Sequence, residues 1–203
     1  LPPPYQDLAE RVFRVNSAEA FNALALDLFR LHAVHNPVYR GFLKGLGTKV
    51  ETVERVTEIP CLPIGLFRNH RVLLEGLEST ITFTSSGTTG TVTSSHHVPW
   101  PSLYERSFLR SFEAVYGSVT EWRILALLPA YLERSGSSLV YMAEQLIARS
   151  GDPLSGTYLY QYDRLAEVLK QGEAEGKKTL LLGVTFALLD LAEQHPMHLR
   201  HTT

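Results

Sequence analysis

The chain has 203 residues, 44% of them hydrophobic and 20% charged, with a formal net charge of −2. These proportions are ordinary for a globular protein, and a chain this long buries roughly 70% of its unfolded surface without covalent staples. The near-neutral balance leaves no electrostatic footprint for nucleic acid or an anionic membrane. The single cysteine, Cys61, excludes an internal disulfide and fits a reducing compartment. No apolar run reaches the roughly 18 residues of a spanning helix. Leu1-Pro2-Pro3-Pro4 has neither the charged start nor the apolar core of a signal peptide, so the expected location is the cytoplasm.

Taken in chain order, Tyr5 to Val15 reads as a short helix with Leu8, Val12 and Phe13 inward. Asn16 is the expected N-cap of the next helix, with Glu19 completing a capping-box pattern. From Ser17 the apolar positions Phe21, Leu24, Leu28, Leu31 and His35 recur at helical spacing, until Pro37 ends the run. A further short helix, Val38 to Leu46, stops at Gly45 or Gly47. Pro60 and Pro63 forbid a regular helix or central strand across Thr57 to Phe67, which reads as an extended connector. Arg71 to Glu75 and Ser79 to Thr84 read as strands, with Gly76 at the bend. A third, Thr93 to Val98, follows in a hairpin-like arrangement. Pro101 opens a helix at its first position, carrying Leu103, Phe108, Phe112 and Val115.

Alternation of strands and helices follows. The expected strands are Trp122 to Leu128, Gly156 to Tyr160 and Lys178 to Val184. The expected helices are Ser137 to Ser150, Tyr162 to Lys170 and Thr185 to His195. Continuous apolar strands between helices predict a parallel sheet covered on both faces. The fold class is therefore α/β: a helical segment, residues 1–58, followed by a mostly parallel sheet within residues 59–203.

Between the second and third predicted strands, Ile81-Thr82-Phe83-Thr84 passes into Ser85-Ser86-Gly87-Thr88-Thr89-Gly90. A loop of Ser, Gly and Thr lets backbone approach an anion closely, with N–H groups and hydroxyls as donors. It is neither a Walker A loop, since Gly90 precedes Thr91-Val92-Thr93, nor a GxGxxG fingerprint. On composition alone a polar hairpin connection remains the alternative.

The order of residues from Thr84 to Gly90 resembles the phosphate loop of the adenylate-forming superfamily. The flanks Ile59-Pro60-Cys61-Leu62-Pro63-Ile64, Leu128-Pro129-Ala130-Tyr131-Leu132-Glu133-Arg134-Ser135-Gly136-Ser137-Ser138 and Leu182-Gly183-Val184-Thr185-Phe186-Ala187-Leu188-Leu189-Asp190 are similar to the acyl-protein synthetases that serve bacterial bioluminescence. More distantly they resemble phenylacetate–CoA ligases. The resemblance implies an adenylate-forming fold and ATP with Mg²⁺ as cofactors. It implies that a carboxylic acid, such as a fatty acid, is activated as acyl-AMP and passed to a protein thiol. It makes Thr84, Ser85, Ser86, Gly87, Thr88, Thr89 and Gly90 the nucleotide phosphate-binding positions. It also implies a reductase or acyl-carrier partner. Many relatives place a lysine just after the second glycine; Thr91, Val92 and Thr93 stand there in this chain. Relatives continue with further strands, an adenylate-facing segment and a lid, so the catalytic residues are expected beyond residue 203 and the chain alone is expected to be inactive. The last strand is expected to expose apolar surface for the same reason.

Strand ends in open α/β sheets form ligand crevices, which makes Tyr131, Arg134, Ser137, Gly183 and Phe186 candidate substrate-pocket residues. A helix cap at Ser137, a surface Glu133–Arg134 pair and core packing of Phe186 are the alternatives. Cys61, between Ile59, Leu62 and Ile64, reads as a buried, inert thiol. His96 and His97 point to opposite faces of a strand. His32 and His35 lack a cysteine or carboxylate partner for a metal, and no metal site is expected. His195, His198 and His201 read as solvated. Two rivals stay open: a ligase with coenzyme A as acceptor, and a non-catalytic binding or assembly module docked through the helical segment.

Overall fold

Asn36 and Pro37 divide the helical beginning of the chain. The computed structural model describes residues 3–85, 93–128 and 136–203, and it separates into two compact units, Leu1–Leu103 and Tyr104–Thr203. In the first unit, α1 (Pro3–Val12), α2 (Ala18–His35) and α3 (Pro37–Leu46) follow one another. Asn36 ends α2 and starts α3: its backbone N–H donates to His32 O, and its side-chain oxygen accepts from the N–H groups of Val38 and Tyr39. Pro37 fits the first helical position because that residue's N–H has no helical partner. Gly47 closes α3 at φ 69°, a left-handed conformation that favours glycine.

The N-cap of α2 is Ser17, whose hydroxyl accepts from Ala20 N–H at 3.1 Å, not Asn16; the capping box with Glu19 is not formed because the cap sits one residue later. The buried side of α2 falls on Leu24, Phe29 and Ala33, while Phe21 and His35 are exposed. In α1, Ala9 is the buried residue and Val12 is exposed. The core of this unit joins Phe29 and Ala33 to Tyr39, Leu43 and Val53. Two 3₁₀ turns, Val50–Thr52 and Val56–Glu58, lead into the connector, which is extended only around Pro60 and Pro63, because the short α4 (Leu66–Asn69) already begins at its end.

Arg71 to Glu75 is not a strand. Glu75 N–H donates to His35 O at 2.7 Å, and Arg40 donates to both Glu75 carboxylate oxygens. The segment is thus tied to the end of a helix rather than to a sheet. Strands β1 (Ile81–Thr84) and β2 (Ser95–Val98) form the antiparallel hairpin, in the register Thr82 opposite His97.

In the second unit, α5 (Pro101–Tyr116, whose first turn precedes the boundary) leads to β3 (Arg123–Leu127). Then come α6 (Ser138–Ser150), β4 (Gly156–Thr157), α7 (Tyr162–Glu175), β5 (Thr179–Gly183) and α8 (Thr185–Gln194). The sheet is parallel, in the order β4-β3-β5. Side chains of a strand alternate between faces, and β3 is buried on both. Leu125 and Leu127 pack with Leu165, Leu169, Ala187 and Leu191 of α7 and α8. Ile124, Ala126 and Leu128 pack with Phe108 and Phe112 of α5 and with Val140, Ala143 and Leu146 of α6. That two-sided burial is why β3 reads as an unbroken apolar run.

β4 is shorter than Gly156 to Tyr160 because Leu159, at φ 46°, turns the chain away and Gln161 N–H closes on Tyr158 O. Val115 on α5 is exposed rather than inward. The outer edge of β5 is not bare: Thr179 N–H donates to His201 O, Leu181 N–H to Thr203 O and Thr203 N–H to Thr179 O. Leu180 of that strand is buried. Glu173 of α7 holds this last segment, accepting from the N–H groups of Arg200 and His201 and from the Thr202 hydroxyl. Desolvation alone would raise the Glu173 carboxyl, but those bonds outweigh it and its pKa lies below the ordinary value. A depressed carboxyl stabilises above its unfolded pKa and ceases to as pH falls through the folded one. Acidification below about pH 4 should therefore release residues 200–203 before the sheet melts. Amide exchange at Thr203 and Leu181 should accelerate ahead of that at Leu125; simultaneous loss would exclude the clip.

Candidate functional site

The candidate site residues read from the sequence fall in two places, one in each unit. The first is the neck of the hairpin. Beyond the Thr84–Ser95 pair, Ser85 N–H donates to Ser94 O and Ser94 N–H donates to the Ser85 hydroxyl oxygen, both at 3.0 Å. Ser85 thus closes the neck with backbone and side chain together, and its own hydroxyl proton stays available to a ligand. Thr84 and Ser85 are both exposed. Ser86, Gly87, Thr88, Thr89 and Gly90 lie outside the described residues.

Behind the neck the hairpin carries an ordered chain of hydroxyls. Ser79 donates to the Ile81 carbonyl at 2.7 Å, which can only accept. The Thr82 hydroxyl therefore donates to Ser79, at 3.1 Å, and accepts from His97 Nδ1 at 3.0 Å. His97 is held with its proton on Nδ1 when neutral. His96, on the opposite face, is exposed and stacks on Phe67 with ring centroids 6.0 Å apart and planes 9° from parallel. Sequence alone separated the two histidines by face, but the Ser79–Thr82–His97 order needed the β1–β2 register.

The second place is the carboxyl end of the parallel sheet. β3 and β5 are neighbours, with Leu127 opposite Gly183. The helix after β3 packs on one face and the helix after β5 on the other. Adjacent strands whose following helices leave to opposite faces define a topological switch point, where open α/β sheets form a crevice. The N-termini of α6 and α8 lie at this end, where backbone N–H groups and helix dipoles favour an anion.

Ser137 is the N-cap of α6, its hydroxyl accepting from Val140 N–H at 3.3 Å, so its side chain is occupied as a cap. Gly183 is needed for close approach: a Cβ there would meet Leu188 Cγ at 2.6 Å, so the first turn of α8 folds directly over the end of β5. Phe186, in that turn, is 51% exposed, which rules out core packing and leaves its ring presented to solvent. Tyr131 and Arg134 lie outside the described residues. Of the five candidates, then, Ser137, Gly183 and Phe186 come to one end of the sheet.

Other expectations are corrected. Cys61 is exposed, not buried, because the neighbouring Ile64 also faces solvent and the connector lies on the surface. His195 is not simply solvated: it is partly buried, with Nε2 3.3 Å from Asp163. Among the described residues no group of three or more His, Cys, Asp or Glu is placed to hold a metal ion. No described helix is long and apolar enough to cross a membrane. No family model matches the chain, and no curated protein matches it.

Proposed function

We propose that the protein activates a carboxylic acid, a fatty acid first among candidates, as an acyl adenylate and then passes the acyl group to a protein thiol. The carboxylate oxygen attacks the α-phosphorus of ATP, the bond to the β-phosphate oxygen breaks, and pyrophosphate leaves. A thiolate then attacks the acyl carbonyl and AMP leaves. One observation carries the reading: the Ser-Gly-Thr run issues from a strand whose exit is pinned by Ser85 and Ser94. That clamp gives the loop a defined base from which N–H and hydroxyl donors can meet an anion. Thr84 and Ser85 would supply hydroxyls at the neck, with Ser86 to Gly90 completing the phosphate contacts. Bound Mg²⁺ would neutralise phosphate charge, the more so because no lysine follows Gly90. Tyr131, Arg134, Ser137, Gly183 and Phe186 would be the candidate residues for meeting the acid. A reductase or acyl-carrier protein is the partner class for the transferred acyl group, and a reducing cytoplasm suits thiol chemistry.

The test is fatty-acid-dependent exchange of pyrophosphate into ATP by the protein as its gene encodes it. Exchange is expected, and Ser85→Ala should lower it about ten- to a hundredfold, the worth of one hydrogen bond to a charged group. Loss of the Ser94 N–H acceptor should lower the thermal midpoint only slightly, because the pair is exposed. Absence of exchange with any of a series of acids would overturn the proposal. Release of the acyl group to coenzyme A instead of a protein thiol would correct the acceptor.

A further inference from the structure

Within the first unit lies a cleft of about 300 Å³, bounded by α2, α3, the connector and α4. Leu28, Phe29, Ile59, Leu62 and Phe67 form most of its apolar wall, and no Lys, Arg, Asp or Glu is among the described residues lining it. Its polar groups are nearly all engaged. The Tyr39 hydroxyl donates to the Pro60 carbonyl at 2.6 Å. The Asn36 carboxamide is oriented by two backbone donors, Val38 N–H and Tyr39 N–H, both 3.2 Å from Oδ1. Its Nδ2 is therefore the atom facing His32 Nδ1 at 3.4 Å, and since Nδ2 can only donate, His32 Nδ1 accepts. The neutral His32 ring then carries its proton on Nε2. Burial pushes the His32 pKa down, which keeps the ring neutral at pH 7. Among the described residues the Nε2–H has no partner.

We propose that this cleft binds an uncharged, mostly apolar small molecule bearing one hydrogen-bond acceptor, which takes the His32 Nε2–H while its body lies against Leu28, Phe29, Ile59, Leu62 and Phe67. The volume is at the lower end of small-molecule sites, which combine apolar walls with a few placed polar groups. The charge-free lining excludes an anion, whose desolvation nothing in the cleft would offset. A neutral ketone, ester or ether meets both conditions. This inference is independent of the adenylation reading.

The probe is 2-octanone, titrated into the gene-encoded protein and followed by the tautomer-sensitive ¹⁵N shifts of the His32 ring and by thermal midpoint. Saturable binding with Kd below about a millimolar is expected, with the His32 Nε2 resonance moving and Nδ1 nearly still. Octanoate, of equal length but anionic, should need at least about tenfold higher concentration to move the His32 ring resonances. His32→Leu should weaken 2-octanone about fivefold, and Leu28→Trp should block the cleft. If either variant fails to fold, the wild-type ring shifts and the comparison of the two probes still decide. Lack of saturable binding, octanoate moving the His32 ring as readily as 2-octanone, or a His32 ring indifferent to 2-octanone would each overturn the proposal.

Discussion

Leu125→Ala is expected to destabilise the protein by about 3–4 kcal/mol, the middle of the range for leucine truncation in a packed core. Leu125 is fully buried at the middle of β3, with Gly156 of β4 on one side and Leu181 of β5 on the other. Its side chain packs in the cluster that contains Leu165, Val168 and Leu169 of α7 and Ala187 of α8. Strands on both flanks fix the backbone, and the helix overhead is anchored through several other residues, so the space left behind cannot close. The denaturation midpoint should fall while its slope is retained. Leu189→Ala is the control: Leu189 is 58% exposed on α8, and its loss should change stability by less than about 0.5 kcal/mol. Equal effects at the two positions would contradict the placement of β3 as the central strand.

Arg123→Met is the second large effect, expected to cost about 3 kcal/mol, as when one partner of a buried ion pair is removed. Arg123 begins β3 on the same face as Leu125, and its side chain is only 5% exposed. Nε donates to Asp152 at 3.0 Å and Nη2 to Glu175 at 3.0 Å. Nη1 is buried without a partner among the described residues. Gly172 leaves room for it, since a Cβ there would meet Nη1 at 3.3 Å and Thr179 Oγ1 at 3.1 Å. Methionine fills much of the same space but strands the Asp152 carboxylate, itself 8% exposed, with only Lys177 at 3.6 Å and the Leu154 N–H.

Burial alone would raise the Asp152 pKa, yet Arg123, the Leu154 N–H and Lys177 together bring it below the ordinary value. The sign follows: a depressed carboxyl contributes stability above its unfolded pKa, about 3.9, and that contribution disappears as pH falls through the folded value. The gap between wild type and Arg123→Met should therefore be full at pH 7 and narrow below about pH 4. Adding Asp152→Asn to the variant should recover about 1 kcal/mol or more, because the stranded charge is removed while Leu154 keeps an acceptor. A gap that is flat with pH, or no recovery, would mean that packing and not charge sets the cost. The cluster lies at the amino end of β3, opposite the end that holds Gly183 and Phe186, so the variant's cost should be read in stability alone.

What could be read from the chain before folding depended on how local its cause was. The apolar runs of β3 and β5, alternating with helices, determined a parallel α/β sheet, because strands buried on both faces have little room for polar residues. Pro37 and the glycines after α3 and α6 marked helix ends through backbone chemistry that needs no tertiary partner, whereas α7 runs on past the expected end at Lys170 to Glu175, with Gly176 as its cap. Hydrophobic spacing said less about direction: it put Phe21 and Val115 inside, but which flank of an amphipathic helix is covered depends on its neighbour. The same limit produced the strand expected at Arg71 to Glu75, where a helix-end carbonyl and Arg40 take the hydrogen-bonding groups that a sheet would have used.

The site divides in the same way. The Ser-Gly-Thr composition of residues 84–90 and the small residue at Gly183 were visible as types. Only the pairing of β1 with β2 made Ser85 and Ser94 a clamp and fixed the proton on His97. Likewise, only the order β4-β3-β5 showed that the helices after neighbouring strands diverge at the end of the sheet that holds Gly183 and Phe186. Tautomers, clamps and crevices come from groups distant in sequence whose hydrogen bonds must all be satisfied together, so the tertiary structure decides them.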